Sequence, residues 1–570
     1  MGNLVLTGFM GTGKTAVGRE VARRLGRRFV DMDAEIEARA GKSIPRVFAE
    51  DGEETFRRME AVLCQELSAQ DGLVIASGGG TLVDPANRAS LLRSGTVVCL
   101  TCDVDEILRR LREGPRSGRP LLNVADPRAE VERLLEARRP AYAAIPWQVD
   151  TTRLSVEQVA ARVVEIVNGE TRETRFFGKR SDKTWFLAVQ FLAVHHPGGE
   201  YSIIIGDGLL AHVGDLLGTA GVPEGGRVAV VSNPVVAPLY GGQVEAALRS
   251  AGWQPFACTV PDGEEHKTPA TVARLYEQFL AGGLDREGTV LALGGGVTGD
   301  AAGFAAATFM RGVRLVQVPT TLLAMVDSSA GGKTGVNLPQ GKNLVGAFKQ
   351  PALVAIDPTV LATLPVEELR SGMAELIKHA VIGDAHLFAE LEAAAGESQI
   401  RNPQSDVSHP PHYRNLHSPF SILHSHIVRA LRVKIAIVEE DPLEQDRRAV
   451  LNLGHTVGHA LEQLSGFRLR HGEAVGIGIA AAVRLATKLG RAAPALVDRI
   501  ERALVAWGLP VTCPPFAAGE IWEAMAHDKK RRRGALRWVL PRAIGEVEIV
   551  EDVPREVVEA VLYRMGATGK

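Results

Sequence analysis

Hydrophobic residues occupy the first 167 positions in short runs separated by amphipathic stretches. Leu4–Thr7 reads as a strand that leads into a glycine loop; Leu73–Ala76 and Thr96–Leu100 read as strands followed by helix-like sequence. That alternation predicts a parallel sheet with crossover helices. Residues 168–184 turn polar and are expected to form a linker. A second α/β region, 185–364, follows, with strands near Tyr201–Ile205, Arg227–Val231 and Thr289–Leu293. From 365 to 570 strand patterns fade and long helical ones dominate, predicting a mainly α-helical domain. No internal repeat is visible. Residues 396–424 interrupt the helical pattern with Pro403, Pro410, Pro411, Pro419 and four histidines, His409, His412, His417 and His424. Prolines at that density break helices, and no ligand spacing joins the histidines, so a solvated loop is expected.

Composition narrows the class. The chain has 570 residues, room for about three to five domains. Hydrophobic residues are 45% and charged residues 23%, which excludes a disordered chain. A net charge of -2 leaves no general basic field for nucleic acid. The run Lys529–Arg533 reads as a solvated turn. Five cysteines are too few for a disulfide scaffold and suit a reducing compartment. Cys99 and Cys102 read as core residues; a strand continuing through both would send them to opposite faces. The first strand starts too early to leave room for a leader, and Phe186–Val194 is too short to span a bilayer. A cytoplasmic protein with small-molecule substrates, and neither nucleic-acid nor membrane partners, is expected.

The first chemical signal is Gly8-Phe-Met-Gly11-Thr12-Gly13-Lys14-Thr15, between a strand and a helix-like run. It fits the strand–GxxxxGK[ST]–helix pattern of nucleoside triphosphate sites. Converging backbone N–H groups and the helix N-terminus favour phosphate. Lys14 reaches the β- and γ-phosphates in such a loop, and the Thr15 hydroxyl serves Mg²⁺. Asp31 and Asp33 are two apart; if both ended a strand, they would share a side.

Further on come Phe56-Arg57-Arg58, Gly78-Gly79-Gly80, Arg119-Pro120-Leu121-Leu122 and Arg138-Arg139-Pro140-Ala141-Tyr142. In this order, residues 1–167 resemble shikimate kinase. The resemblance implies ATP with Mg²⁺, and places Asp31 near the metal and Asp33 on the acceptor hydroxyl. Arg57 and Arg138 would grip the shikimate carboxylate, with Gly79 and Gly80 lining its pocket. Arg119 would close over the transferring phosphoryl group. Arg112 would lie by the nucleotide. A kinase for another small molecule, such as gluconate, is the rival.

The second half carries Gly294-Gly295-Gly296-Val297-Thr298-Gly299-Asp300 after a strand. Taken alone this is a weak dinucleotide signal, because the acidic residue expected about 20 positions on is not evident. Then come Pro319-Thr320-Thr321, Asp327 through Gly331-Gly332-Lys333, Gly341-Lys342-Asn343, Glu375-Leu-Ile-Lys378, Asn452-Leu-Gly454-His455, Gly458-His459 and His471-Gly472-Glu473. His455 and His459 are four apart, on one face of a helix. This series resembles 3-dehydroquinate synthase over about residues 185–570, so the chain resembles a fusion of two shikimate-pathway enzymes. The implied fold is a P-loop α/β domain, a Rossmann-like α/β NAD-binding domain and a helical metal-binding domain.

That resemblance assigns roles residue by residue. Glu375, His455 and His471 become ligands of Zn²⁺ or Co²⁺. Asn233, Glu264, Lys267, Gly295, Gly296, Val297, Asp300, Thr320, Thr321, Lys342 and Thr363 match NAD positions, with Asn233 standing where the family usually has Asp. Asp327, Lys333, Asn343, Lys378, Lys434, Arg448, Asn452, His459 and Lys529 match substrate or catalytic positions. Arg311 matches a residue reaching across a homodimer. The implied reaction uses NAD transiently to turn 3-deoxy-arabino-heptulosonate 7-phosphate into 3-dehydroquinate with phosphate elimination and no net redox. Rivals are a metal-dependent polyol dehydrogenase and a non-catalytic scaffold in one half. Gln445-Asp446 and residues 396–424 depart from the family pattern.

Overall fold

The structure, a computed structural model, describes residues 2–113, 126–143, 145, 147–168, 189–223, 225–397, 419–527, 536–551 and 553–569. Linker positions 169–184, most of the 396–424 segment and the basic run 529–533 lie outside them, as do Arg119 and Lys529. The chain divides into two compact units, Met1–Val189 and Gln190–Lys570.

In the first unit the strands are β1 (Asn3–Gly8), β2 (Arg28–Asp31), β3 (Leu73–Ala76), β4 (Gly95–Thr101) and β5 (Trp147–Asp150). They form one sheet in the order β2-β3-β1-β4-β5, and every pairing is parallel. Alternation decides which way each side chain faces. Leu4, Leu6, Val74, Val98 and Leu100 pack on one side with Val17 and Val21 of the Lys14–Leu25 helix. Val5, Ile75, Val97 and Cys99 pack on the other with Ile36 and Leu63. Each such fully buried aliphatic side chain contributes about 1.5–3 kcal/mol. Two expectations need correction. β2 ends at Asp31, so Asp33 lies in the first turn of the Met32–Ala40 helix and not on a strand. β4 ends at Thr101, so Cys102 leaves the pleat and packs against the same core as Cys99.

The second unit begins with β6 (Gln190–His196), β7 (Gly199–Ile205), β8 (Arg227–Ser232), β9 (Gln254–Thr259), β10 (Thr289–Gly294) and β11 (Arg314–Pro319). A hairpin of β12 (Lys333–Leu338) and β13 (Gly341–Phe348) precedes β14 (Leu353–Ile356). The sheet order is β6-β7-β14-β11-β10-β8-β9, parallel except for the β6–β7 pair. Helices then dominate, but not alone. β15 (Trp538–Ala543) and β16 (Glu546–Val550) form an antiparallel hairpin that the sequence reading missed. Its signal was there: alternating Val547, Ile549 and their partners about Gly545, whose φ is 87.

Three helices of this unit carry Glu375, His455 and His471. Val366–Gly383 is buried at every position from Ser371 to Ile382, so its polar residues must find partners inside. His455–Leu464 and His471–Lys488 cross at a glycine contact. A Cβ on Gly478 would lie 1.8 Å from the Gly454 carbonyl oxygen, and Gly454 itself sits at φ 81. Main chain meets main chain there, and no side chain can yield. Gly478→Ala should therefore destabilise the second unit by about 3 kcal/mol, seen as a lower denaturant midpoint for its unfolding. An unchanged midpoint would mean the two helices separate freely.

Candidate active sites

The first site lies at the carboxyl ends of the parallel strands, where open α/β sheets bind ligands. Gly8, Gly11 and Gly13 all have positive φ, at 134, 81 and 93. A Cβ on Gly8 would meet the Leu100 carbonyl at 2.2 Å. The loop's own carbonyls hold Lys14: its Nζ donates to Gly8 O at 2.8 Å and to Phe9 O at 2.9 Å. Burial lowers Lys14 to about 8. Thr12 donates to Phe9 O. Thr15 donates its hydroxyl to Asp31 Oδ2 at 2.8 Å. Asp31 also caps the next helix, accepting from the Asp33 and Ala34 amides. Gly13 opens the Lys14–Leu25 helix with no side-chain cap, leaving its first amides for an anion.

At Gly78–Gly80 three polar side chains approach the main chain closely. A Cβ on Gly78 would lie 2.8 Å from Asp33 Oδ1; on Gly79, 3.2 Å from Arg138 Nη1; on Gly80, 3.0 Å from Arg57 Nη1. Arg138 donates to Gly79 O at 3.1 Å and stacks over Phe9. Burial pushes Asp33 up to about 6, against the pull of Lys14. Sequence reasoning missed Glu60. It is buried, accepts from Arg57 at 2.6 Å and from Thr81 at 2.6 Å, and so aims the guanidinium. Its only sequence signal is the three-residue step from Arg57 on one helix. Arg112 is exposed, in a shallow cleft with Asp105, Arg109 and Arg128. Two positions earlier, Arg110 donates to Gly11 O of the phosphate loop at 3.3 Å.

In the second unit, β10 runs into the Gly296–Thr308 helix, whose N-terminus has no side-chain cap. Side chains crowd this turn: a Cβ on Gly295 would lie 3.0 Å from Thr321 Cγ2, and one on Gly296 would lie 3.1 Å from Ser328 Oγ. The Thr320 hydroxyl is buried and unpartnered. Val297 and Asp300 belong to the same first turns. Lys267 pairs with Asp300 and donates to Asn343 Oδ1 at 2.7 Å. Asn337, also missed, ties this edge together: it donates to Glu264 Oε1 at 2.8 Å and accepts from the Asn343 amide. Asn233, at the tip of β8, donates to Asp262 Oδ1 at 2.8 Å, which brings a carboxylate beside a position where the sequence has Asn. Thr363 shares a 2.5 Å bond with Tyr240. Glycine-backed amides, an orphaned hydroxyl and a rim of Lys and carboxylate fit a dinucleotide.

Next to this cradle, Glu375, His455 and His471 bring one ligand atom each within 4.8 Å of one another. They come from three helices. His471 Nε2 is 3.3 Å from Glu375 Oε1, and His455 Nε2 is 3.6 Å from it. His455 Nδ1 is 3.1 Å from Leu453 O. A carbonyl only accepts, so Nδ1 carries the proton and the Nε2 lone pair faces the cluster. Two imidazoles and a carboxylate suit a zinc-type ion with open positions. His459 stands beside them, its ring 5.1 Å from that of His455.

Buried charge surrounds this donor set. Lys378, fully buried, pairs with Glu375 and lies 3.7 Å from Asp327. Lys434 donates to Asp327 Oδ1 at 2.7 Å. Although burial opposes it, Lys378 and Lys434 hold the Asp327 carboxyl well below its usual range. Burial lowers Lys434 to about 8. His379, unremarked in the sequence, is buried with Nε2 3.5 Å from Asp327. Lys333 pairs with Glu444 at 2.5 Å, and Asn452 donates to the same carboxylate. Arg448 is buried against the carbonyls of Gly331 and Pro442. The unusual Gln445-Asp446 pair is accommodated. Asp441 accepts from the amides of Gln445, Asp446 and Arg448, and the left-handed position of the turn falls on Glu444, at φ 57. Arg311 is not brought to this site. It sits on an exposed turn at φ 68, past the far end of a 13-residue helix, about 20 Å from the cradle.

Comparison with known proteins divides the chain in the same way. Residues 10–168 match the shikimate kinase family. Residues 257–371 match the N-terminal part of 3-dehydroquinate synthase and residues 372–531 its C-terminal part. A 3-dehydroquinate synthase from Synechococcus sp. is 46% identical over 378 residues, 66% of this chain and 98% of the relative. One from Synechocystis sp. is 46% identical over 368 residues, 64% of this chain and 97% of the relative. Among solved structures, ValA, a 2-epi-5-epi-valiolone synthase from Streptomyces hygroscopicus subsp. jinggangensis with NAD+ and Zn2+ bound, is 30% identical with a TM-score of 0.56, covering 64% of this chain and 96% of that one.

The raised Asp33 has a stability consequence. A carboxyl whose folded pKa exceeds its unfolded value of about 4 stabilises fully only below that value, and the contribution is lost as pH rises through about 6. Asp33→Asn should therefore raise the denaturant midpoint of the first unit at pH 7, with the gain vanishing towards pH 4. A gain that instead grew towards acid would show that Asp33 is not strained by burial.

Proposed function

The chain belongs to the 3-dehydroquinate synthase family and carries a shikimate kinase domain ahead of it, and from that premise we propose which side chains run each reaction. It is a bifunctional shikimate-pathway enzyme. One activity phosphorylates shikimate with ATP; the other converts 3-deoxy-arabino-heptulosonate 7-phosphate to 3-dehydroquinate with loss of phosphate.

In the kinase half, the amides of Gly11, Thr12 and Gly13 take the ATP phosphates. Lys14 exchanges its two loop carbonyls for phosphate oxygens. Thr15 and Asp31 hold Mg²⁺. Asp33, ionised above about pH 6, receives the acceptor hydroxyl. Arg57 and Arg138 grip the carboxylate across Gly79 and Gly80 as paired forks, with Glu60 aiming Arg57. Arg119 supplies charge to the transferring group.

In the synthase half, residues 185–364 carry NAD and residues 365–570 the metal and most substrate contacts, with 168–184 as the linker between the halves. The observation that carries this reading is the convergence of Glu375, His455 and His471 beside Asp327, Lys378 and Lys434 at the tip of the dinucleotide cradle. When bound, NAD stores a hydride and the metal supplies a Lewis acid. The remaining work falls to the chain. Gly295, Gly296, Val297, Asp300, Thr320 and Thr321 seat the dinucleotide, with Glu264, Lys267, Lys342 and Thr363 on its rim. Asp262, steered by Asn233, faces the adenosine ribose. Lys333, Asn343, Arg448, Asn452 and Lys529 receive the phosphate and carboxylate of the substrate. His459 stands where it can pass a proton. Arg311 serves the partner's site in a homodimer, since it lies far from its own. No described helix is long and apolar enough to cross a membrane, and the five free cysteines suit the cytoplasm.

Two measurements test these roles. Full-length protein with NAD⁺ should release phosphate from the heptulosonate phosphate, lose this on chelation and regain it with zinc, without NADH accumulating. Steady NADH formation would favour a polyol dehydrogenase instead. Asp33→Ala should lower shikimate phosphorylation at least 100-fold, on the order expected for loss of a proton acceptor, and leave phosphate release intact; retained kinase activity would remove Asp33 from its role.

A further inference from the structure

One buried carboxylate has no role in either reaction as described. Glu462 is 3% exposed, on the helix that carries His455 and His459. Its Oε1 is 3.4 Å from His471 Nδ1, on the side of the ring away from Glu375. The same oxygen accepts from Lys342 Nζ at 3.1 Å. Its Oε2 is buried without a partner. Lys342 comes from β13, on the dinucleotide side. There its Nζ is 3.9 Å from Glu264 Oε1 and 4.7 Å from the centre of the Phe467 ring, a residue at φ 61. One ammonium is thus shared between a carboxylate behind a metal ligand and a carboxylate on the nucleotide rim.

We propose that Glu462 is a positioning residue for His471 and, through Lys342, couples metal affinity to occupancy of the dinucleotide cradle. This rests on the ligand set proposed above. A carboxylate behind a histidine ligand fixes ring orientation and tautomer and makes the metal-facing nitrogen more basic. In the ligand-free protein, Lys342 neutralises part of that carboxylate. A dinucleotide pyrophosphate draws Lys342 towards itself, and Glu462 then acts on His471 alone. NAD⁺ therefore tightens zinc binding, and by reciprocity zinc tightens NAD⁺ binding by the same factor.

The test is zinc affinity of the full chain by competition with a chromophoric chelator, with and without saturating NAD⁺. Wild type should bind one zinc in this unit and tighten several-fold with NAD⁺. Glu462→Gln should bind zinc about tenfold or more weakly and show no NAD⁺ effect. Lys342→Met removes the competing cation, so without NAD⁺ it should bind zinc at least as tightly as wild type. Thermal melts of the zinc-free proteins exclude misfolding, and Lys342→Met tests the idea even if Glu462→Gln fails to fold. Co²⁺ loaded into Glu462→Gln should keep the wild-type band intensity, which reports coordination number, since a positioning residue is not a ligand. Wild-type affinity in Glu462→Gln, weakened zinc in Lys342→Met, or a cobalt band intensity showing a changed coordination number would each overturn the proposal. Zinc retained after Glu375→Gln with His455→Ala would instead overturn the ligand set beneath it.

Discussion

Asp327, Glu375, Lys378 and Lys434 stand close together, largely out of water, in the second unit. An isolated charge in such surroundings costs several kcal/mol, and each tolerates burial only because the others are there. The four come from the segment before β12 and from two helices of the C-terminal part, so their mutual neutrality also joins the α/β layer to the helical one. The donor set inherits this. Glu375 can face the histidines as an anion because Lys378 occupies its other side.

A second regularity links both sites. The lysines meant for anionic ligands already have partners within the fold: Lys14 its loop carbonyls, Lys267 Asp300, Lys342 Glu462. Binding therefore exchanges interactions instead of creating them. Net affinity falls, but discrimination rises, since a ligand lacking a well-placed anion cannot displace the internal partner.

How much of this was legible in the sequence depended on distance along the chain. The phosphate loop, the Gly294–Asp300 turn and the His455/His459 step are local patterns with local causes, and they folded as read. Asn337 and Glu462 were invisible because their meaning lies in partners that tertiary structure supplies; Glu462 meets Lys342 across 120 positions. Pleat parity does not reach Asp33 because β2 ends two residues before it, at Asp31. Arg110 was not singled out because nothing in the string shows which face of that helix meets the loop, where it donates to Gly11 O. The β15–β16 hairpin was overlooked because helical periodicity on both sides outweighed a short alternating run.

The contact between Gly454 and Gly478 bears on how this chain can vary. Backbone atoms set the spacing of the two helices that carry His455 and His471, so that spacing is insensitive to the side chains around it. The His471–Lys488 helix is buried on nearly every side, so its remaining positions can exchange only among side chains of similar volume while the histidines keep their separation. Innovation at this centre must come through what lines the substrate side, with the two glycines acting as a fixed gauge.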